Sequence, residues 1–273
     1  MNSIKFNLLK KIINKSLGNL RVNVVLDLAE DLPETKKLIK DLKSEIKKQV
    51  NNAITYELVE QAFLLTKVDL NNTILVLVSR QLAPLLLNKK IYNDFVALLT
   101  VTANLAGQNA VDKLTNKDKE TKFNLENKTI IDRRLQEMLP QLDVTTAKQI
   151  TEKIQIARES FLEVNETTKY VKQELEKLTE NRVETIVRNE LANISGVIQN
   201  EVYKKSGVVE LRWITARDEA VCEICEPLHN TIIRTGGLWV SQTSSGQYPP
   251  IHINCRCYVE PSERYGTNIW TGK

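Results

Sequence analysis

Residues 213–234, WITARDEAVCEICEPLHNTIIR, and residues 248–261, YPPIHINCRCYVEP, hold every cysteine and both histidines of a 273-residue chain. Cys222 and Cys225 form a C-x2-C pair, and His252, Cys255 and Cys257 follow in HINCRC. A C-x2-C turn brings two thiolates to one point, and a second pair from a distant loop completes the tetrahedron that Zn2+ adopts in structural sites. The spacing therefore predicts a zinc site with five candidate ligands, Cys222, Cys225, His252, Cys255 and Cys257, competing for four positions. Cys222, Cys225 and Cys255 head the set. On an extended strand Cys255 and Cys257 face the same side, so either that cysteine pair or His252 with one cysteine finishes the site. His229, in PLHNT, reads as a hairpin-tip residue outside the set. A site closed by four protein ligands favours structure over catalysis, because a catalytic zinc keeps one position open to water.

Other readings of the cysteines fit less well. Disulfides belong to oxidising compartments, and the N-terminus lacks the uninterrupted apolar run of a secretory signal. A redox C-x2-C belongs beside a βαβ unit, which this region does not resemble.

The chain changes character near Gly207. Before it stand three glycines and three prolines; from it onward come six glycines, four prolines, all four cysteines and Trp213, Trp239 and Trp270. Helix interiors exclude Gly and Pro, whereas turns need them. The fold class expected is mainly α: an elongated helical N-terminal body with a small α+β zinc-braced C-terminal module. Residues 1–149 read as the helical body, 150–207 as a long helical segment, and 208–273 as the β-rich zinc-binding module.

Helix signals are legible throughout the first part. Pro33 opens a stretch with Leu38, Leu42, Ile46, Val50, Ile54 and Leu58 at helical spacing. Pro84 is expected to end or kink the next helix, and Gly107 to stop another. The polar run 116–129, NKDKETKFNLENKT, reads as a linker, and Asp143 after Pro140 as the cap of a new helix. From Val171 an apolar stripe runs through Leu175 and Leu178, then Val183, Val187, Leu191, Ile194 and Ile198. Its slip between Leu178 and Val183 predicts a kink or break at Glu180–Asn181. Gly207 after YKKS reads as a helix stop, and Val209, Leu211 and Trp213 alternate as in a strand. Tyr248-Pro249-Pro250 is read as fixing the start of the strand that delivers His252 and the CRC pair, with Trp213 and Trp239 in the module core.

The composition restricts the function classes. A net charge of +4 from 38 basic and 34 acidic side chains permits contact with nucleic acid without arguing for it. In the module, Arg212, Arg217, Arg234, Arg256 and Arg264 are outweighed by acidic residues, which disfavours DNA binding by the module alone. The apolar runs 73–87 and 95–107 are too short or too interrupted to span a bilayer, and no membrane partner is expected. The basic N-terminus, residues 1–21, reads as a helix packed on its neighbours rather than as a membrane-surface helix. A zinc deaminase needs H-x-E before P-C-x-x-C, and neither His229 nor His252 offers it. A zinc-braced nuclease would need a second His or carboxylate beside His229-Asn230, and Asp218 and Glu219 read as solvated turn acids. The residues thus predict an interaction protein with no enzymatic activity and no small-molecule substrate. The alternative is a zinc-braced nucleic-acid-binding protein or nuclease acting on DNA.

RVETIVRNE (182–190), GVVELRWITARDEAVCEICEPLHNTII (207–233) and PPIHINCRC (249–257) together resemble the phage minor head protein family typified by the F protein of phage Mu. The likeness covers roughly 150–261. It departs from the family at Asn189, where relatives often carry Thr in an R-T-E step. The resemblance implies a minor head protein acting in head morphogenesis, found in the virion near the portal vertex and in host cytoplasm during assembly. The partners it implies are the portal, the major capsid protein, or both, with phage DNA as a further one.

Overall fold

The structure, a computed structural model, describes residues 24–64, 73, 75–78, 88–114, 127–215 and 222–262. The expectations placed on the N-terminal 1–21 helix, Pro84, Asp218, Glu219 and Trp270, and on most of the 116–129 linker, lie outside these residues. The helices are α1 (Val24–Asp31), α2 (Pro33–Ala53), α3 (Tyr56–Leu64), α4 (Lys89–Asp112), α5 (Asn127–Glu159) and α6 (Val164–Lys205). Five short strands follow: β1 (Glu210–Ile214), β2 (Ile232–Arg234), β3 (Trp239–Val240), β4 (Ser245–Gly246) and β5 (Tyr258–Pro261). The fold is mainly α with a small sheet region near the C-terminus, as composition indicates. The chain forms two compact units, one of Met1–Leu32, Leu99–Asn127 and Arg188–Lys273, the other of Pro33–Leu98 and Lys128–Val187.

In the second of these units Leu38, Leu42, Ile46 and Val50 are buried along α2, at the spacing one helix face requires. Ile54 and Leu58 are buried too, but not on the same helix. The chain breaks after Ala53, and Thr55 restarts it by accepting the Leu58 N–H on its Oγ1 at 3.1 Å. α5 departs further from expectation, since Pro140 lies inside it and Asp143 caps nothing. Proline removes one ladder bond, and Pro140 itself lies on the exposed face of the helix. The last three residues of the supposed linker, 127–129, already belong to this helix. Arg182 of α6 joins the two helices, donating to the Leu142 carbonyl, Thr146 Oγ1 and Gln149 Oε1 at 2.8–3.1 Å.

α6 is one unbroken helix of 42 residues, without the break expected at Glu180–Asn181. The stripe does not slip, because buried Thr179 takes the place assigned to the half-exposed Leu178. Its hydroxyl returns to the Leu175 carbonyl, so a polar residue passes through the buried face satisfied. Gly107 likewise sits inside α4, where the apolar face continues through Ala106 and Ala110. Gly207 does end α6. It has φ 72°, and the N–H groups of Gly207 and Val208 close on the carbonyls of Lys204 and Tyr203. This is the paired bonding by which a left-handed glycine satisfies terminal carbonyls.

β1 is the centre of an antiparallel sheet ordered β2-β1-β5, with Leu211 opposite Ile233 and Trp213 opposite Val259. Leu211 and Trp213 point inward as the alternation predicts, whereas Val209 precedes the strand and is exposed. β3 and β4 form a separate small hairpin. One hydrophobic cluster joins the sheet to the helices of its own unit. It holds Ala110 of α4, Val202 and Tyr203 of α6, and Leu211, Trp213, Leu228, Trp239, Val259, Cys225, Cys255 and Cys257. The Trp213 and Trp239 rings meet at 5.3 Å between centroids. Both tryptophans are core, as expected.

Candidate metal centre

The first pair of ligand candidates sits in the connection from β1 to β2. The N–H groups of Cys225 and Glu226 both donate to the Cys222 carbonyl at 3.0 Å, folding the C-x2-C into a tight turn that runs into the 3-10 turn Glu226–Leu228. Pro227 near the start of that turn suits it, since a missing N–H is harmless there.

The second group lies in residues 248–257, between β4 and β5. The expected strand does not exist here: these residues are turns and irregular chain, and β5 begins only at Tyr258. Cys255 and Cys257 therefore do not owe their convergence to strand alternation. The Pro249–Pro250 peptide is cis, and Asn254 takes a left-handed conformation with φ 61°. The Cys255 N–H reaches back to the His252 carbonyl at 3.4 Å, so H-x2-C repeats the i to i+3 closure of C-x2-C.

The two turns bring their donors together. His252 Nε2 lies 3.2 Å from Cys222 Sγ and 2.9 Å from Cys225 Sγ, and Cys225 Sγ lies 3.8 Å from Cys255 Sγ. Cys222, Cys225 and His252 form one group with all donor atoms within 4.8 Å, and Cys225, Cys255 and Cys257 form another. All five predicted residues thus take part, and Cys225 belongs to both groups. His229 belongs to neither. Its Nδ1 accepts the Thr215 N–H at 3.2 Å and lies 2.9 Å from Thr215 Oγ1, tying the ring to the end of β1.

The geometry and chemistry of these donors fit a soft divalent cation. A tetrahedral zinc–thiolate site has sulfur–sulfur edges of about 3.8 Å, the value expected from a Zn–S distance of about 2.3 Å. The Cys225–Cys255 separation matches that edge, while the histidine–sulfur contacts are shorter than the corresponding edge of about 3.6 Å. The His252 Nδ1 lies 2.8 Å from the Ile253 carbonyl. A proton donated there leaves the Nε2 lone pair facing the sulfurs, the tautomer a metal needs.

The thiols also share charge unevenly. Hydrogen bonds from Cys225 and Cys257 hold the Cys255 thiol down to about 3. The hydrogen bond to Cys255 pushes Cys225 far up. Cys257 is pulled down by Cys225 and the Trp213 indole, but Cys255 and burial win and raise it. A bound dication would favour the thiolate form of each sulfur it touches. The Trp213 indole N–H favours the charged form of Cys257, and among the described residues this buried donor has no other partner.

Two residues outside the predicted set hold the second turn on α6. Asn189 Oδ1 accepts the Asn254 N–H at 2.9 Å. Gly196 lets the loop approach so closely that a Cβ there would lie 1.9 Å from the Pro249 carbonyl oxygen. The Asn189 amide thus takes up a backbone contact of the turn. An isolated glycine inside a strong helical pattern was the available sign for Gly196.

Residues 145–260 match the model of the family described as phage Mu protein F like protein. No curated protein and no solved structure matches the chain. The match bears out the resemblance carried by the RVETIVRNE and HINCRC segments, over nearly the same stretch. It spans both turns that carry the candidate ligands and the α6 residues that touch the second of them.

Proposed function

We propose that this chain is a phage minor head protein that acts in head morphogenesis near the portal, through contacts rather than catalysis. Its place would be the virion, reached from the host cytoplasm during assembly, and its partners the portal and major capsid proteins. The observation that carries this reading is the family match over 145–260, which takes in the clustered donors near its C-terminal end. The C-terminal module is braced by a structural Zn2+ held by Cys222, Cys225, His252 and Cys255, the end residues of the two i to i+3 turns. Cys257 stays beside Cys225 and Cys255 as a fourth sulfur outside the set. Zinc supplies cross-linking energy to a segment with five short strands and a thin core.

Several features support an interaction role. Four protein donors around one ion leave no position for a reacting water. His229, the base a nuclease would need, lies outside both donor groups with Nδ1 held by Thr215. Two arginines of this unit are paired, Arg212 with Glu260 and Arg188 with Glu30, each at 2.8 Å, which lowers the free positive charge available to DNA. Among the described residues no helix is long and apolar enough to cross a membrane.

Co-expression with the portal protein of the same phage, followed by purification through a tag on the portal, tests the role. The expected result is co-purification at 0.15 M salt together with intact plasmid DNA after incubation with Mg2+ or Mn2+. Metal-dependent cutting that disappears in His229→Ala would replace this reading with the nuclease. Retention on DNA alone, lost steeply with salt, would replace it with a nucleic-acid module.

A further inference from the structure

The loop carrying His252 and Cys255 has no ladder hydrogen bonds to hold its shape, since residues 248–257 form no strand. A ligand loop that must be ordered on binding loses the ordering entropy from its metal affinity. Something else must hold the donors in place. Helix α6 touches this loop at both ends: Gly196 admits the Pro249 carbonyl, and Asn189 binds the N–H of Asn254, the residue immediately before Cys255. Asn189 and Gly196 are separated by two turns of helix, so they lie on one face. Asn254 needs such a partner, because its left-handed φ of 61° turns the backbone sharply between the two donors of the pair.

We propose that Asn189 and Gly196 are positioning residues of the metal centre, through which α6 presents the His252–Cys255 turn to Cys222 and Cys225. The inference rests on the metal-binding reading given above. The preorganised turn binds metal more tightly than a free loop would, and the C-terminal half of α6 is ordered together with the site. Outer-shell hydrogen bonds of this kind change metal affinity by about 10–100-fold.

The test uses the full chain, with Co2+ as the spectroscopic probe and Zn2+ affinity read by competition with a chromophoric chelator. Asn189→Ala should lower the Zn2+ affinity about 10-fold and weaken or shift the thiolate-to-cobalt bands. Asn189→Asp keeps an oxygen acceptor at the same reach and should stay within about twofold of the parent. Alanine is the better helix former, so a general loss of helix would not explain a weakened Asn189→Ala. Parent-like affinity and spectrum in Asn189→Ala would overturn the inference while leaving the metal reading intact. An Asn189→Asp as weak as Asn189→Ala would also overturn it, because the hydrogen bond would not be the cause. A parent protein that binds neither Co2+ nor Zn2+ would remove the metal reading itself.

Discussion

Replacing Gly196 by alanine sets two effects of opposite sign against each other. Alanine inside a helix is favoured over glycine by about 1 kcal/mol, and α6 is a long helix with Gly196 well inside it. An exposed glycine at such a position would be a simple target for stabilisation. Gly196 is buried, however, and an added Cβ would meet the backbone oxygen of Pro249 at 1.9 Å, where contacts under 3.0 Å essentially never occur. Tyr248 Cδ2 and the Pro249 carbonyl carbon stand at 3.1 Å on the same side. The loop and helix must therefore separate by more than about 1 Å, and the obstacle is main chain rather than a side chain free to rotate. Overpacking of this kind costs about 1–3 kcal/mol, so against the helix gain of about 1 kcal/mol the net effect expected is a loss of up to about 2 kcal/mol. Guanidinium unfolding of the zinc-loaded protein, followed by tryptophan fluorescence, reads the module directly, since Trp213 and Trp239 are both in its core. A Gly196→Ala protein more stable than the parent by about 1 kcal/mol would refute the close approach of loop and helix.

Two other substitutions probe separate parts of the molecule. The Lys113 ammonium lies 4.0 Å from the centre of the Tyr258 ring, and burial brings its pKa from 10.5 down to about 8. The depressed value means the fold favours the neutral amine. The penalty is present in full below pH 8 and is relieved as pH rises towards 10.5. Lys113→Met should raise stability by roughly 2 kcal/mol at pH 7, after discounting for the part of the side chain that solvent reaches, and much less at pH 10. Denaturant titrations at the two pH values check this; a gain that grows with pH contradicts it. Pro140→Ala should restore a ladder bond in α5 and stabilise the protein by roughly 2 kcal/mol, allowing for the freer unfolded chain. An unchanged or lower unfolding midpoint would show that the helix already accommodates the proline without loss.

Much of this architecture was legible because it rests on local rules. The gathering of Cys222, Cys225, His252, Cys255 and Cys257 in one short segment pointed to the donor cluster before any geometry, since soft ligands at turn spacing have few other uses. Gly207 was readable as a helix stop for the same reason: a left-handed residue suits glycine. What sequence periodicity obscured were the places where tertiary packing outweighs a local signal. Pro140 and Gly107 read as helix ends, yet each stands inside a helix whose apolar face continues past it. Thr179, a polar residue in an apolar stripe, disguised one long helix as two. The loop 248–257 was read as a strand because Cys255 and Cys257 alternate, but two i to i+3 turns and contacts to α6 set its course instead. Asn189 and Gly196 could not be assigned that role from spacing, because their partners lie more than fifty residues further along the chain.

The central claim is that the cysteine and histidine cluster holds a structural metal. Metal content per chain, measured by inductively coupled plasma mass spectrometry on protein purified without chelator, tests it most directly. The account predicts about one zinc per chain in the parent and in His229→Ala, and loss of the metal together with tryptophan-reported folding of the module in Cys222→Ser. A parent protein that is folded and metal-free would contradict it.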